Sequence, residues 1–135
     1  MTSQDNPNHA QVSLLIDRLK ILTDPEKEKF QQKISELIGD PTWKSKMANA
    51  WHRAGYAARE STRNTAWSAA RAAARNLGAN SPLFPAREAA RASGALVVRD
   101  LITTEDFEIL IAPCRFLLEE LEIIEPVQKT RQENI

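Results

Sequence analysis

The 135-residue chain holds one cysteine, Cys114, four glycines and two histidines. A single cysteine excludes an intramolecular disulfide and a cysteine-rich zinc site. His9 and His52 lie far apart, with no set of His, Cys or Asp at ligand spacing beside either, so no metal site is expected. Four glycines leave little for a phosphate-cradling loop. The sequence has no G-x-x-x-x-G-K, G-x-G-x-x-G, H-E-x-x-H or G-x-S-x-G, the spacings that bring nucleotide, metal or nucleophile chemistry. These absences point away from an enzyme and from any cofactor. Long apolar runs are missing too: "ALVV" and "ILIAPC" fall far short of the roughly 20 residues that span a bilayer. The start, "MTSQDNPNHA", has neither the basic nor the apolar region of a secretory signal. The expectation is a soluble, cytoplasmic protein with no membrane contact. Its length suits one domain with a core that needs no staples.

What is present is charge in blocks. The formal net charge is zero, yet residues 41–99 carry ten bases and two acids, while residues 100–125 carry eight acids and one base. Such blocks say more about contacts than the total does. The stretch "AWHRAGYAARESTRNTAWSAARAAARNLG", Ala50–Gly78, is alanine-rich and has five arginines, two tryptophans and one acid, Glu60.

Apolar residues recur at helical spacing, and strand-like alternation is absent. Residues 1–8 read as a disordered N-terminus, residues 9–125 as a single helical domain, and 126–135 as a loose polar tail. Val12, Leu15, Ile16, Leu19 and Leu22 mark a first helix after Asn8. Asp24 as N-cap with Pro25 behind it opens a second, striped by Phe30, Ile34, Leu37 and Ile38. Asp40 and Pro41 repeat that grammar for a third. One straight helix from 41 to 77 would be about 55 Å long, longer than a compact domain of this size is wide. The spacing therefore predicts a break or bend, placed at "ESTRNT", residues 60–65. Pro85 opens a helix whose buried side is Ala89, Ala92, Leu96, Val97, Leu101 and Ile102. Thr103 or Thr104 caps a last helical region, interrupted at Pro113. The expected fold is all-α: a single-domain bundle of five to seven helices with a long or broken central Ala/Arg-rich helix.

"SAARAAARNLG" followed by "ALVVRDLITTEDFEILIAPCR" resembles a group of small Ala/Arg/Trp-rich bacterial and phage proteins. That group has repeated "AW-x-AAR" helices and then an "ALVVRDLI…L…P" segment. The similar stretch covers about half the chain, Ala50 to Arg115. Some members are labelled immunity proteins, which neutralise a toxin made by the same or a neighbouring cell. The resemblance therefore implies a non-enzymatic protein binder and brings no catalytic residues. The chain departs from the pattern after Pro113, where Cys114 stands in place of a tryptophan.

Arg59, Arg63, Arg71 and Arg75 recur in steps of four, with Trp67 filling the missing step, and Arg87 and Arg91 repeat the spacing. Two uses are open. The arginines can pair with the acids of the C-terminal helices, or they can form a basic ridge that grips phosphate with Trp67 as a stacking group. Trp51 and Trp67 read mainly as gap-fillers on different sides of the Ala/Arg-rich stretch. Exposed, they would be interface anchors. Cys114 reads as a small buried apolar residue. The candidate interaction set is Trp51, Arg59, Arg63, Trp67, Arg71, Arg75, Arg87 and Arg91. The leading expectation is a helical protein that binds another protein, immunity- or inhibitor-like. The alternative is a nucleic-acid-binding protein using the basic 53–99 block. A homo-oligomer is compatible with either.

Overall fold

The computed structural model describes residues 6–79 and 81–126. The chain is an all-α bundle: α1 His9–Lys20, α2 Asp24–Ile38, α3 Pro41–Arg59, α4 Asn64–Asn76, α5 Ala86–Val97, α6 Thr104–Ile111 and α7 Arg115–Glu120. Two 3₁₀ turns, Arg99–Leu101 and Ala112–Cys114, precede α6 and α7. No strand occurs among the described residues, and none of their helices is long and apolar enough to cross a membrane.

Helix starts follow local chemistry. The N-cap of α2 is Thr23, one residue before the expected Asp24. Its hydroxyl accepts from the Glu26 N–H while the Glu26 carboxylate accepts from the Thr23 N–H. This capping box satisfies two orphan donors, where a carboxylate cap at Asp24 would satisfy fewer. Asp40 caps α3 through the Thr42 N–H, and Thr103 caps α6 through the Asp106 N–H, both as expected.

The break falls where the length argument placed it. α3 ends at Arg59 and α4 begins at Asn64. Between them the Ser61 hydroxyl donates to the Ala58 carbonyl and accepts from the Arg63 N–H. A hydroxyl that bonds locally to backbone offers the chain an alternative to continuing the helix.

α5 is the central element. Every residue from Ala89 to Val98 is buried except Arg91, which is half-buried. It packs against α4, α1, α6 and α3. Its alanines, with Ala70 and Ala74 of α4, let the backbones of α4 and α5 come close. Trp67, near the start of α4, meets Gly94 near the end of α5; Gly78, just past α4, meets Ala86 at the start of α5. The two helices are therefore antiparallel. Leu15, Phe30, Leu96, Leu110, Ile111, Leu117 and Leu118 fill the rest of the core.

Two expectations need adjustment. Asn6–Asn8 are structured: Asn6 is buried and the Asn8 amide donates to Asp100. Residues 1–5 of the expected N-terminal segment and 127–135 of the expected tail lie outside the described residues. Leu101, expected on the buried side of a helix running to Ile102, is exposed, because α5 stops at Val97 and the 3₁₀ turn rotates Leu101 outward.

Candidate functional site

Trp51 and Trp67 are not on different sides of the scaffold. The break lets α4 fold back beside α3, and the two indoles meet with ring centroids 4.7 Å apart and planes tilted by 30°. Two glycines make the room. A Cβ built on Gly94 would lie 3.0 and 3.2 Å from ring carbons of Trp67 and 3.3 Å from one of Trp51. A Cβ on Gly55 of α3 would lie 3.8 Å from Trp67. Glycine inside a helix costs about 0.5–1 kcal/mol against alanine, so its presence in α3 and α5 was the sequence signal for close approach. Trp67 is buried and Trp51 half-buried.

Arginines frame the pair. The Arg71 guanidinium carbon sits 5.4 Å from the Trp51 ring centroid and 5.7 Å from that of Trp67. Such a contact contributes about 0.5–2 kcal/mol, more as it is desolvated. The Arg71 Nε is buried and has no hydrogen-bond partner among the described residues. Burial, and then repulsion from Arg75, push the Arg71 pKa below the ordinary arginine value. Arg59 folds back along α3, with one terminal nitrogen 3.4 Å from the Gly55 Cβ position, which brings its charge toward the Trp67 edge. The antiparallel register sets Arg71 and Arg75 of α4 opposite Arg91 and Arg87 of α5. Arg91 is also lowered, by burial first, with Glu88 opposing and Arg87 adding to the shift. Its ion pair with Glu88 is long, at 3.6 Å. Arg59, Arg75 and Arg87 are exposed.

Arg63 leaves this group. Its guanidinium forks onto Asp100, with one bond of 2.8 Å, and donates to the Val97 carbonyl at 3.2 Å. The bond to Val97 satisfies an orphan acceptor at the end of α5. The Arg63 hydrogen bond, joined by the Asn8 amide, holds the Asp100 pKa down at about 2. Arg53, outside the candidate set, forks onto buried Asp106 at 2.7 and 2.8 Å, and this lowers the Asp106 pKa. Lys46 reaches Glu105 at 3.9 Å. Of the two uses open for the basic block, the structure shows acid pairing, and for some of its members only. Arg53 and Arg63 neutralise acids of the C-terminal region. Arg71 lies against the tryptophans and Arg59 approaches Trp67, Arg91 pairs with Glu88, and Arg75 and Arg87 are exposed.

Three further acids of the C-terminal helices find other bases. Glu120 and Glu26 both hold Arg18 of α1, and Glu108 and Glu119 hold Arg115. Beside the Arg53–Asp106 fork, Tyr56, Leu101, Ile102 and Thr103 line an open groove of about 440 Å³. Tyr56 and Leu101 are exposed apolar groups at its edge, and the sequence reading did not place them together. Among the described residues no group of three or more His, Cys, Asp or Glu is arranged to hold a metal ion. Cys114 is fully buried, and desolvation pushes its thiol up to about 12.

No protein-family model, curated protein or solved structure matches the chain. The functional reading therefore rests on the geometry.

Proposed function

We propose that the protein is a non-enzymatic helical module that binds another protein, immunity- or inhibitor-like in mode, through the surface formed by α4, α5 and the C-terminal half of α3. The observation that supports this is the division among the arginines. Arg53 and Arg63 are spent on Asp106 and Asp100, while Arg59, Arg75 and Arg87 are exposed and Arg71 lies against half-buried Trp51. Tryptophan and arginine beside each other on a partly desolvated surface are the residues that dominate interface energies. Their charge calls for an acidic partner surface, which would also speed encounter. The alternative is nucleic-acid binding by the same arginines. It gains little from Trp67, which is buried; with Trp51 in contact with Trp67, bases would have only the remaining surface of half-buried Trp51 to stack on.

Affinity capture from nuclease-treated extract of the source cells, with the wild type beside an Arg75→Glu/Arg87→Glu variant, tests the proposal. A protein retained by the wild type, lost by the variant, and re-forming a stoichiometric complex when both components are purified is the expected outcome. A captured species that vanishes on nuclease treatment would move the assignment to nucleic acid.

A further inference from the structure

We infer that Arg71 is the receptor for a carboxylate of an acidic segment in the partner, with the Trp51–Trp67 pair as its platform and Arg75 and Arg87 as flanking charges. The inference rests on the protein-binding reading above and names the chemistry that the partner must bring.

Three features of the geometry lead there. The Arg71 guanidinium carbon lies 5.4 and 5.7 Å from the centroids of the two indoles, which confine the group to one side of the pair. A confined planar fork matches a carboxylate in bidentate fashion and gives up little rotamer freedom in doing so. Its charge is also undercompensated: Arg71 belongs to none of the ion pairs among the described residues, the group is half-buried, and Arg75 adds repulsion. Every carboxylate of α6 and α7 that forms an ion pair does so elsewhere, with Lys46, Arg53, Arg115 or Arg18. Finally, α5 offers this region Glu88, which is engaged with Arg91. A carboxylate arriving from outside would pair with Arg71 and relieve its repulsion with Arg75 in one step. A phosphate would supply the charge too, but with Trp67 buried a nucleotide base would have only the half-buried Trp51 to stack on.

The probe is an amidated hexaglutamate peptide, titrated into the full chain at low ionic strength and followed by tryptophan emission and calorimetry. Comparators are hexaglutamine and a thymidine oligonucleotide of equal charge. The expected result is saturable binding of hexaglutamate with a change in emission and none with hexaglutamine. Arg71→Met should weaken it at least tenfold, and Arg71→Lys should restore part of the loss. Far-UV circular dichroism identifies any variant that fails to fold, and Arg71→Lys then carries the comparison. Hexaglutamate affinity indifferent to Arg71, or an oligonucleotide that binds more tightly than the peptide, overturns the inference. A captured partner that depends on Arg75 and Arg87 while hexaglutamate ignores Arg71 would sink the carboxylate receptor and leave the protein-binding reading standing. Absence of any captured partner, with Arg71-dependent peptide binding intact, would sink the reading instead.

Discussion

Trp51 and Trp67 stack at 4.7 Å across the break between α3 and α4. On one unbroken helix these positions would point about 160° apart, so the contact exists because the chain turns at Glu60–Arg63. The Ser61 bonds and the Arg63 fork onto Asp100 hold that turn. The stack in turn ties both halves of the Ala/Arg-rich stretch to α5 at Gly94.

Trp67→Ala should cost about 3–5 kcal/mol, the range for a buried large aromatic. Trp51→Ala should cost less, about 1–2 kcal/mol, because half-burial has less transfer free energy to lose. The double variant should fall short of the sum by about 0.5–1.5 kcal/mol, the worth of an aromatic pair beyond its area. Urea midpoints of the three variants measure this. Additive losses would mean that the two rings do not support each other.

Cys114 should resist thiol reagents in the native state and react at once in denaturant. It is fully buried, and desolvation disfavours its thiolate, while the thiolate is the reactive form. Native labelling as fast as that of a free thiol would contradict the packing of the Ala112–Cys114 turn.

Much of this fold was legible in the sequence because its signals are local. Asp40–Pro41, Thr103 and the hydrophobic stripes each act over one or two helical turns. The break at residues 60–65 was legible because length alone made a straight helix untenable. The site was less so. That Arg63 would choose Asp100 and Arg71 would choose indoles depends on which way α4 returns, and no local pattern carries that information. Gly55 and Gly94 were the exception: a glycine amid alanine-rich helix has a cost, and here the cost makes room for Trp67.

Acid should loosen the fold below about pH 4.5. Glu26 is lowered to about 2, first by its hydrogen bond to Arg18 and then by the Thr23 N–H; Asp100 is lowered to about 2 by Arg63. Asp106 and Glu120 are lowered by Arg53 and Arg18. Each carboxylate has a folded pKa below its unfolded value. The stabilisation is therefore complete above the unfolded values near 4, and it is lost as pH falls through the folded values toward 2. The Asp100 side chain is 47% exposed, so its pair with Arg63 contributes no more than about 1 kcal/mol. The urea midpoint should be level in this respect from pH 7 to 5 and then decline. Arg63→Met should make the decline shallower. An unchanged slope in that variant would remove the Arg63–Asp100 pair from the account.

The same substitution at two helical glycines should have opposite effects. Replacing either glycine by alanine gains about 0.5–1 kcal/mol of helix propensity. At Gly55 the new methyl would meet the terminal nitrogen of Arg59 at 3.4 Å and Trp67 at 3.8 Å. The first is the end of a flexible side chain and the second is ordinary contact, so Gly55→Ala should be neutral or stabilising. At Gly94 the methyl would stand 3.0 to 3.3 Å from atoms of two rings that are stacked on each other and capped by Arg71. Neither indole can retreat without parting from the other, and overpacking of this kind costs about 1–3 kcal/mol. That exceeds the propensity gain, so Gly94→Ala should be destabilising. It should also shift tryptophan emission and weaken partner binding, because the platform beneath Arg71 would be displaced. Thermal midpoints and emission spectra of the two variants decide the question. Equal midpoints would show that the tryptophan pair is free to slide on α5, and a mobile pair could not hold Arg71 in place.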